Sequence, residues 1–283
     1  MPTYTSNDIE ICIATMNRAD LSFLELMFQC SLSAIKHQII IVNQSKTVVL
    51  KSDYSNIRVF NDSDFGLSRS RNLALSNCKS AFAWILDDDV QILPEAIGVI
   101  VEKLNTYKMV NLFVFKIVTP NGVDKRVYSK KDKLVTSKKE LSHIHSIEMI
   151  FNTAMWRDKN FRFNTRFGLG AQFKMGEECI VSEDVLSQNG TIMLVPEAIV
   201  VHDELSTAND PSSDEVIYAS GALAGRRNAI TAFLYSFKYV FFLWRKDYES
   251  SLRVLWYKMK VFQKGTNDYV SGFRRPREND GKQ

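Results

Sequence analysis

The stretch "AFAWILDDDVQILPEA" (residues 81–96) carries an apolar run straight into three consecutive aspartates, then turns apolar again towards Pro94. Adjacent carboxylates repel one another, so folding alone gains nothing from crowding Asp87, Asp88 and Asp89. Read as a strand, the run sends Asp87 and Asp89 to one side and Asp88 to the other. The cluster then lies beyond the carboxyl end of a strand, where open α/β sheets bind their ligands. Hard carboxylate oxygens at such an edge suit Mg2+ or Mn2+, with phosphate oxygens completing the shell. A solvated acidic turn ahead of the next helix is the bland alternative, and the triplet by itself does not choose between them.

Outward from the aspartates, strand and helix signals alternate. "IEICIAT" (9–15), "QIIIVN" (38–43) and "NIRVFN" (56–61) read as buried strands. Between the first two, "SFLELMFQCSLSAIKH" (22–37) has helical spacing, with Ser22 and Glu25 as a capping box. "SRSRNLALSNC" (68–78) is a helix that Ser68 is placed to cap, and "PEAIGVIVEKLN" (94–105) opens with proline in its first turn. This rhythm predicts an α/β fold, Rossmann-like, with a mostly parallel sheet and helices on both faces. Further on, "MVNLFVFKIV" (109–118) and "SIEMIFNTAMW" (146–156) read as strands, and "RFGLGAQFKMG" (166–176) as a glycine-bearing loop. "EECIVSEDVLSQNG" (177–190) is a helix stopped by Gly190, and "TIMLVPEAIVVH" (191–202) a closing strand. From about residue 215 the pattern is helical and aromatic-rich, and fraying is expected at "RRPRENDGKQ" (274–283).

A chain of 283 residues, 45% hydrophobic and 24% charged, is long and apolar enough for one large domain or two modest ones. The start, "MPTYTSNDIE", lacks the basic-then-apolar pattern of a signal peptide. Cys12, Cys30, Cys78 and Cys179 include no CxxC pair. That favours reduced thiols and a cytoplasmic home over a disulfide frame or a zinc site. From Glu215 to the end, 13 Lys and Arg stand against 6 Asp and Glu, a balance of +7; the remainder balances at −3. A basic C-terminal segment on a mildly acidic body points to an anionic membrane surface rather than nucleic acid as neighbour.

Taken in order, "CIATMNR", "IIIVNQS", "GLSRSRN", "WILDDDV", "FNTRFGLGAQFKMGEE" and "VPEAIVVH" resemble the family 2 glycosyltransferases of the GT-A fold. The resemblance spans roughly residues 9–206 and is loose in the C-terminal seventy-odd residues. It implies a GT-A catalytic domain over 1–210, with a nucleotide-sugar half (1–100) and an acceptor half (101–210), followed by a helical extension (211–283). It also implies an inverting, metal-dependent enzyme of polysaccharide synthesis that uses a nucleotide-sugar donor, UDP-linked by preference. The acceptor would be a saccharide or a lipid-linked saccharide.

Carried over one position at a time, the resemblance sets Thr15, Asn17 and Arg18 beside the nucleotide base. Asn43 stands where many relatives have an aspartate that reads uracil, so Asn43 or Gln44 is expected to hydrogen-bond the base. Gly66, Leu67, Ser68, Arg71 and Asn72 match the donor-binding loop. Asp87 and Asp88 would address ribose and diphosphate, with Asp89 as the metal ligand, assisted by Asp87 and His202. An inverting transfer needs a carboxylate to take the acceptor hydroxyl's proton. Glu178 matches the family's base position, with Glu177 as the alternative; both also suit the dipole of a first helical turn. Trp156, Phe167, Gly168 and Gly170 would shape the acceptor side, although a core tryptophan fits Trp156 equally well.

Two readings compete with this one. A sugar-phosphate nucleotidyltransferase would need a glycine-rich phosphate loop after the first strand, and "TMNRAD" has no glycine. A catalytically silent binding or scaffold subunit would not need to keep Asp89 and Glu178. In the extension, "AITAFLYSFKYVFFLW" (229–244) falls short of the ~20 apolar residues of a membrane span. Flanked by Arg226, Arg227, Arg245 and Lys246, it suits a helix lying on an anionic inner membrane face; packing on the catalytic domain, or on a second subunit in a homo-oligomer, is the alternative.

Overall fold

The computed structural model describes residues 3–141, 143–203 and 210–274, so the fraying expected after Arg274 lies outside the described residues. Among the described residues, those within 1–165 and 177–204 form one compact unit, and those within 166–176 and 205–283 a second. The glycine loop 166–176, read from sequence as part of the catalytic domain, thus belongs to the second unit.

The first unit is built on β1 (Ile9–Met16), β2 (Gln38–Gln44), β3 (Ile57–Asp62) and β4 (Phe82–Asp87). These run parallel in the order β3-β2-β1-β4. β8 (Met149–Asn152), β6 (Leu112–Val118), β9 (Ile192–Val201) and β5 (Gln91–Ile92) continue the sheet in that order. The short β7 (Lys133–Leu134) pairs with β9. The far half is mixed: β8 is antiparallel to β4 and β6, while β6 and β9 run parallel.

Burial follows the period-two alternation of strands. Ile11, Ile13, Ile39 and Ile41 pack on one face, under α1 (Ser22–Phe28) and α3 (Ala96–Thr106). Cys12, Ile40 and Val42 pack on the other, under α2 (Leu67–Asn77), α4 (Thr153–Asp158) and α5 (Glu177–Ser187). With helices on both faces, "ICIA" and "IIIV" have no solvent side, which is why these strands read as unbroken apolar runs.

Local chemistry corrects several boundaries. The helix expected over 22–37 stops at Phe28, where Gln29 turns left-handed (φ 53°). Ser22 and Glu25 form no capping box; Glu25 instead accepts from the Leu32 amide. Ser68 does not cap α2, which starts from Gly66 at φ 134° and takes Ser68 inside. Pro94 lies in the turn before α3 rather than in its first turn. "SIEMIFNTAMW" is not one strand: β8 ends at Asn152, whose side chain accepts from the amides of Ala154 and Met155 and so starts α4.

The second unit holds α6 (Asp214–Arg227), α7 (Ala229–Arg245) and α8 (Leu252–Arg274), with Ile217, Leu243, Leu255 and Phe262 at its centre. α6 and α8 approach so closely that a Cβ on Gly221 would stand 2.0 Å from the Phe262 carbonyl oxygen. A Cβ on Gly265 would stand 1.9 Å from that of Tyr218.

Candidate active site

The carboxyl ends of β1 and β4 lie side by side, with Ala14 paired to Asp87. Just beyond, Asp88 gathers the end of β1: Thr15 Oγ1 donates to its carboxylate at 2.6 Å and Arg18 Nε at 2.7 Å. Asn17, at φ 56°, turns the chain away from the strand and is exposed, as are parts of Arg18 and Asp88. This edge is open to a ligand from solvent.

Asn43 and Gln44 are placed differently from expectation. Asn43 is fully buried, accepts from the Arg18 amide at 3.0 Å and donates to the Arg18 carbonyl and to Asn61. Gln44 donates to the carbonyls of Asp64 and Gly66 and accepts from the Gly66 amide. Both N–H donors of each amide are thus engaged within the chain, and both side chains are buried. They hold the backbones of the two loops, the turn at Arg18 and the Gly66 entry to α2, that border the open edge.

Arg71 links the aspartate edge to the glutamate pair. Its side chain is 2% exposed. Nη2 reaches Asp87 at 3.2 Å and donates to Ser146 Oγ at 2.6 Å; Nη1 donates to Glu177 at 3.0 Å and to Glu178 at 3.3 Å. Burial opposes a charge there, but Asp87, Glu178 and Glu177 outweigh it and hold the guanidinium above its ordinary pKa. Arg71 therefore points inward to a carboxylate cage and not, as the sequence suggested, outward to a ribose or diphosphate. Asn72 likewise binds within the chain, donating to the Phe163 carbonyl and accepting from its amide. Gly66 and Ser68 are buried and Leu67 is half-buried.

The two glutamates differ. The Glu177 side chain is 5% exposed; burial and the neighbouring Glu178 push its carboxyl up to about 8 against the pull of Arg71. Its Oε2 is buried without a hydrogen-bond partner. Glu178 keeps 18% of its side chain exposed, and burial raises its carboxyl as well. Of the pair, Glu178 has the better access to an incoming hydroxyl.

Asp89 is the most exposed of the three aspartates, at 66%, and faces His202 across 3.6 Å. His202 follows β9, its amide donating to the Val118 carbonyl. The facing of the two side chains lowers Asp89 and raises His202. Among the described residues no three His, Cys, Asp or Glu side chains form a ready-made metal cluster. One carboxylate and one imidazole this close nevertheless fit a divalent cation that takes its other ligands from phosphate and water. Asp87, expected as a second carboxylate ligand, turns to Arg71 instead.

Of the residues expected on the acceptor side, the two aromatic rings are buried. Trp156 is 1% exposed, its ring edge-on to Phe151 at 5.0 Å between centroids, in the core under α4. Phe167 is fully buried in the second unit, 4.7 Å from the Phe173 ring and 5.7 Å from that of Tyr269. Neither ring has a face left for a sugar. Gly168 and Gly170, at φ 103° and 80°, shape the turn that folds Phe167 back on Phe173. One residue of the site carried no sequence signal: Ser146, buried at the start of a short 3-10 turn, accepts from Arg71 and so belongs to the cage.

The sequence model of "Glycosyl transferase family 2" matches residues 10–181. No curated protein sequence matches the chain. Among solved structures, the crystal structure of S. aureus TarS 1-349 is similar at a TM-score of 0.50 and 14% identity, over 94% of this chain and 72% of that one. The same protein in complex with UDP gives a TM-score of 0.54 at 13% identity, over 93% of this chain and 91% of that one. At such identities the likeness is one of fold.

Proposed function

The chain belongs to glycosyl transferase family 2, and on that premise we propose that it transfers a sugar from a nucleotide-sugar donor, UDP-linked, with inversion at the anomeric carbon. The acceptor is a hydroxyl of a saccharide or a lipid-linked saccharide, as in polysaccharide synthesis. The observation that carries this reading is the Arg71 cage. A single buried guanidinium holds Asp87 of the donor edge and Glu178 of the acceptor side, so the two halves of a displacement lie one side chain apart.

In this reading the acceptor oxygen attacks the anomeric carbon while Glu178 takes its proton, and the bond from that carbon to the diphosphate oxygen breaks. Glu178 is favoured over Glu177 because it is the less buried. Arg71 keeps the pair oriented, and Asn43 and Gln44 fix the loops that border the donor. Asp89 and His202 would hold Mn2+ or Mg2+, which when bound supplies charge neutralisation for the departing diphosphate. UDP in the TarS crystal structure supports a uridine donor on a shared fold.

The test is a panel of nucleotide sugars, incubated with the full chain and Mn2+ or Mg2+ and assayed for slow donor hydrolysis. Release of UDP from one UDP-sugar, lost in Glu178→Gln, supports the proposal. Absence of both donor binding and hydrolysis across the panel would leave the silent scaffold subunit as the better reading.

A further inference from the structure

α7 is largely apolar, yet only one narrow stripe of it is buried. Ala232, Ser236 and Leu243 face α6 and α8, with Ser236 Oγ accepting from Gln263 at 3.3 Å and the Tyr239 ring 5.5 Å from that of Phe262. On the opposite side, Ile230, Phe233, Leu234, Phe237, Phe241 and Trp244 follow one another at i, i+3, i+4, i+7, i+11 and i+14, the spacing of a single helix face. Every one of them is exposed, from 48% at Phe237 to 79% at Ile230. A helix that is apolar on both sides is normally covered on both. Exposed apolar patches of this extent mark interaction surfaces.

Charge decides the occupant. Between Arg226 and Lys264 the chain carries nine Lys and Arg against Asp247 and Glu249, and of the nine Lys258 and Lys264 pair with Asp214 and Asp268 outside that stretch. Lys238 and Arg245 lie beside the apolar face, one turn or less from Phe237, Phe241 and Trp244. A second copy docking by the same face would bring these cations against their own counterparts around a two-fold axis. Residues 275–283, "RPRENDGKQ", hold no large apolar side chain that would cover the face. Among the described residues no helix is long and apolar enough to cross a membrane. We propose that α7 lies in the surface of an anionic lipid bilayer, its Phe and Trp side chains among the acyl chains and its Lys and Arg side chains on the headgroups. The inference does not rest on the transfer reaction.

The full chain is to be sedimented with vesicles of phosphatidylglycerol and phosphatidylethanolamine, and separately with pure phosphatidylcholine. Tryptophan emission is recorded in parallel, since Trp244 and Trp256 are the exposed indoles and Trp84 and Trp156 are buried. Expected are binding to the anionic vesicles, a blue shift of emission, and weakening by added salt. Phe237→Glu with Phe241→Glu lowers the affinity about tenfold or more, while Met109→Glu, at a residue 75% exposed in the first unit, leaves it unchanged. Circular dichroism checks that the double variant folds. Should it not, Lys238→Glu with Arg245→Glu serves in its place, with loss of the preference for anionic lipid. Failure of the wild-type chain to bind anionic vesicles overturns the proposal, as does undiminished binding by a folded variant. Reversible self-association that the double variant abolishes, without vesicle binding, assigns the face to a second copy and overturns it equally.

Discussion

Nη1 of Arg71 lies 3.3 Å from Oε1 of Glu178, two residues 107 positions apart in the chain. The contact joins the helix after β3 to the helix before β9, and it brings the proposed base under the control of a side chain that never meets solvent. Its consequences are measurable.

Arg71→Ala leaves Asp87, Glu177 and Glu178 facing one another around a hole. Removing one partner of a buried ion pair costs about 3–5 kcal/mol, because the remaining charge is uncompensated. Urea unfolding followed by tryptophan fluorescence reads the loss. A penalty under about 1 kcal/mol would contradict the cage as described.

Glu178→Gln keeps the shape of the side chain and its reach to Arg71 but cannot accept a proton. Donor affinity, measured by calorimetry with the UDP-sugar, stays near that of the parent chain. Transfer falls by roughly 10²- to 10⁴-fold, the usual worth of a positioned base. Normal turnover in this variant would move the base to Glu177.

Asp89→Ala and His202→Ala each remove one half of the candidate metal pair. UDP binding by the parent chain is expected to tighten on adding Mn2+ and to weaken with EDTA. In either variant that difference shrinks or disappears, while binding without metal is preserved. Equal Mn2+ enhancement in parent and variants would place the cation elsewhere.

Glu177 gives stability a pH dependence. Its carboxyl, pushed to about 8 by burial and by Glu178, keeps a proton in the folded chain that the unfolded chain releases near its ordinary value of 4.5. The contribution is complete at the acid end of that window and is lost as pH rises through about 8, with a slope of at most about 1.4 kcal/mol per pH unit. Unfolding of the ligand-free chain at several pH values between about 5 and 8 should show stability falling, and Glu177→Gln should flatten the trend.

Gly221→Ala and Gly265→Ala each place a methyl group against backbone on the facing helix, 2.0 Å and 1.9 Å from a carbonyl oxygen. Such overpacking against main chain costs about 1–3 kcal/mol or more. Limited proteolysis of residues 210–274, compared with the first unit, shows whether the damage stays with α6 and α8.

The chain's longer strands and most of its helices are legible in the sequence because their evidence is local, whereas the two-residue β5 and β7 left no such signal. "IIIV" and "ICIA" announce doubly covered strands by their lack of polar alternation, and "AFAWILDDD" ends a strand where it should. Order and spacing of the motifs then identify the family, and "AITAFLYSFKYVFFLWR" shows its apolar helix outright. Periodicity says which face a residue shares, not which partner waits there. Only the tertiary structure decided that Arg71 faces three carboxylates rather than a phosphate, and that Asn43 and Gln44 hold backbone rather than a base. The same holds for Trp156 and Phe167, which fill cores, and for Ser146, which completes the cage. Each of those outcomes depends on chain segments many residues apart meeting at one buried point, where an unpaired charge or amide costs more than any local preference supplies.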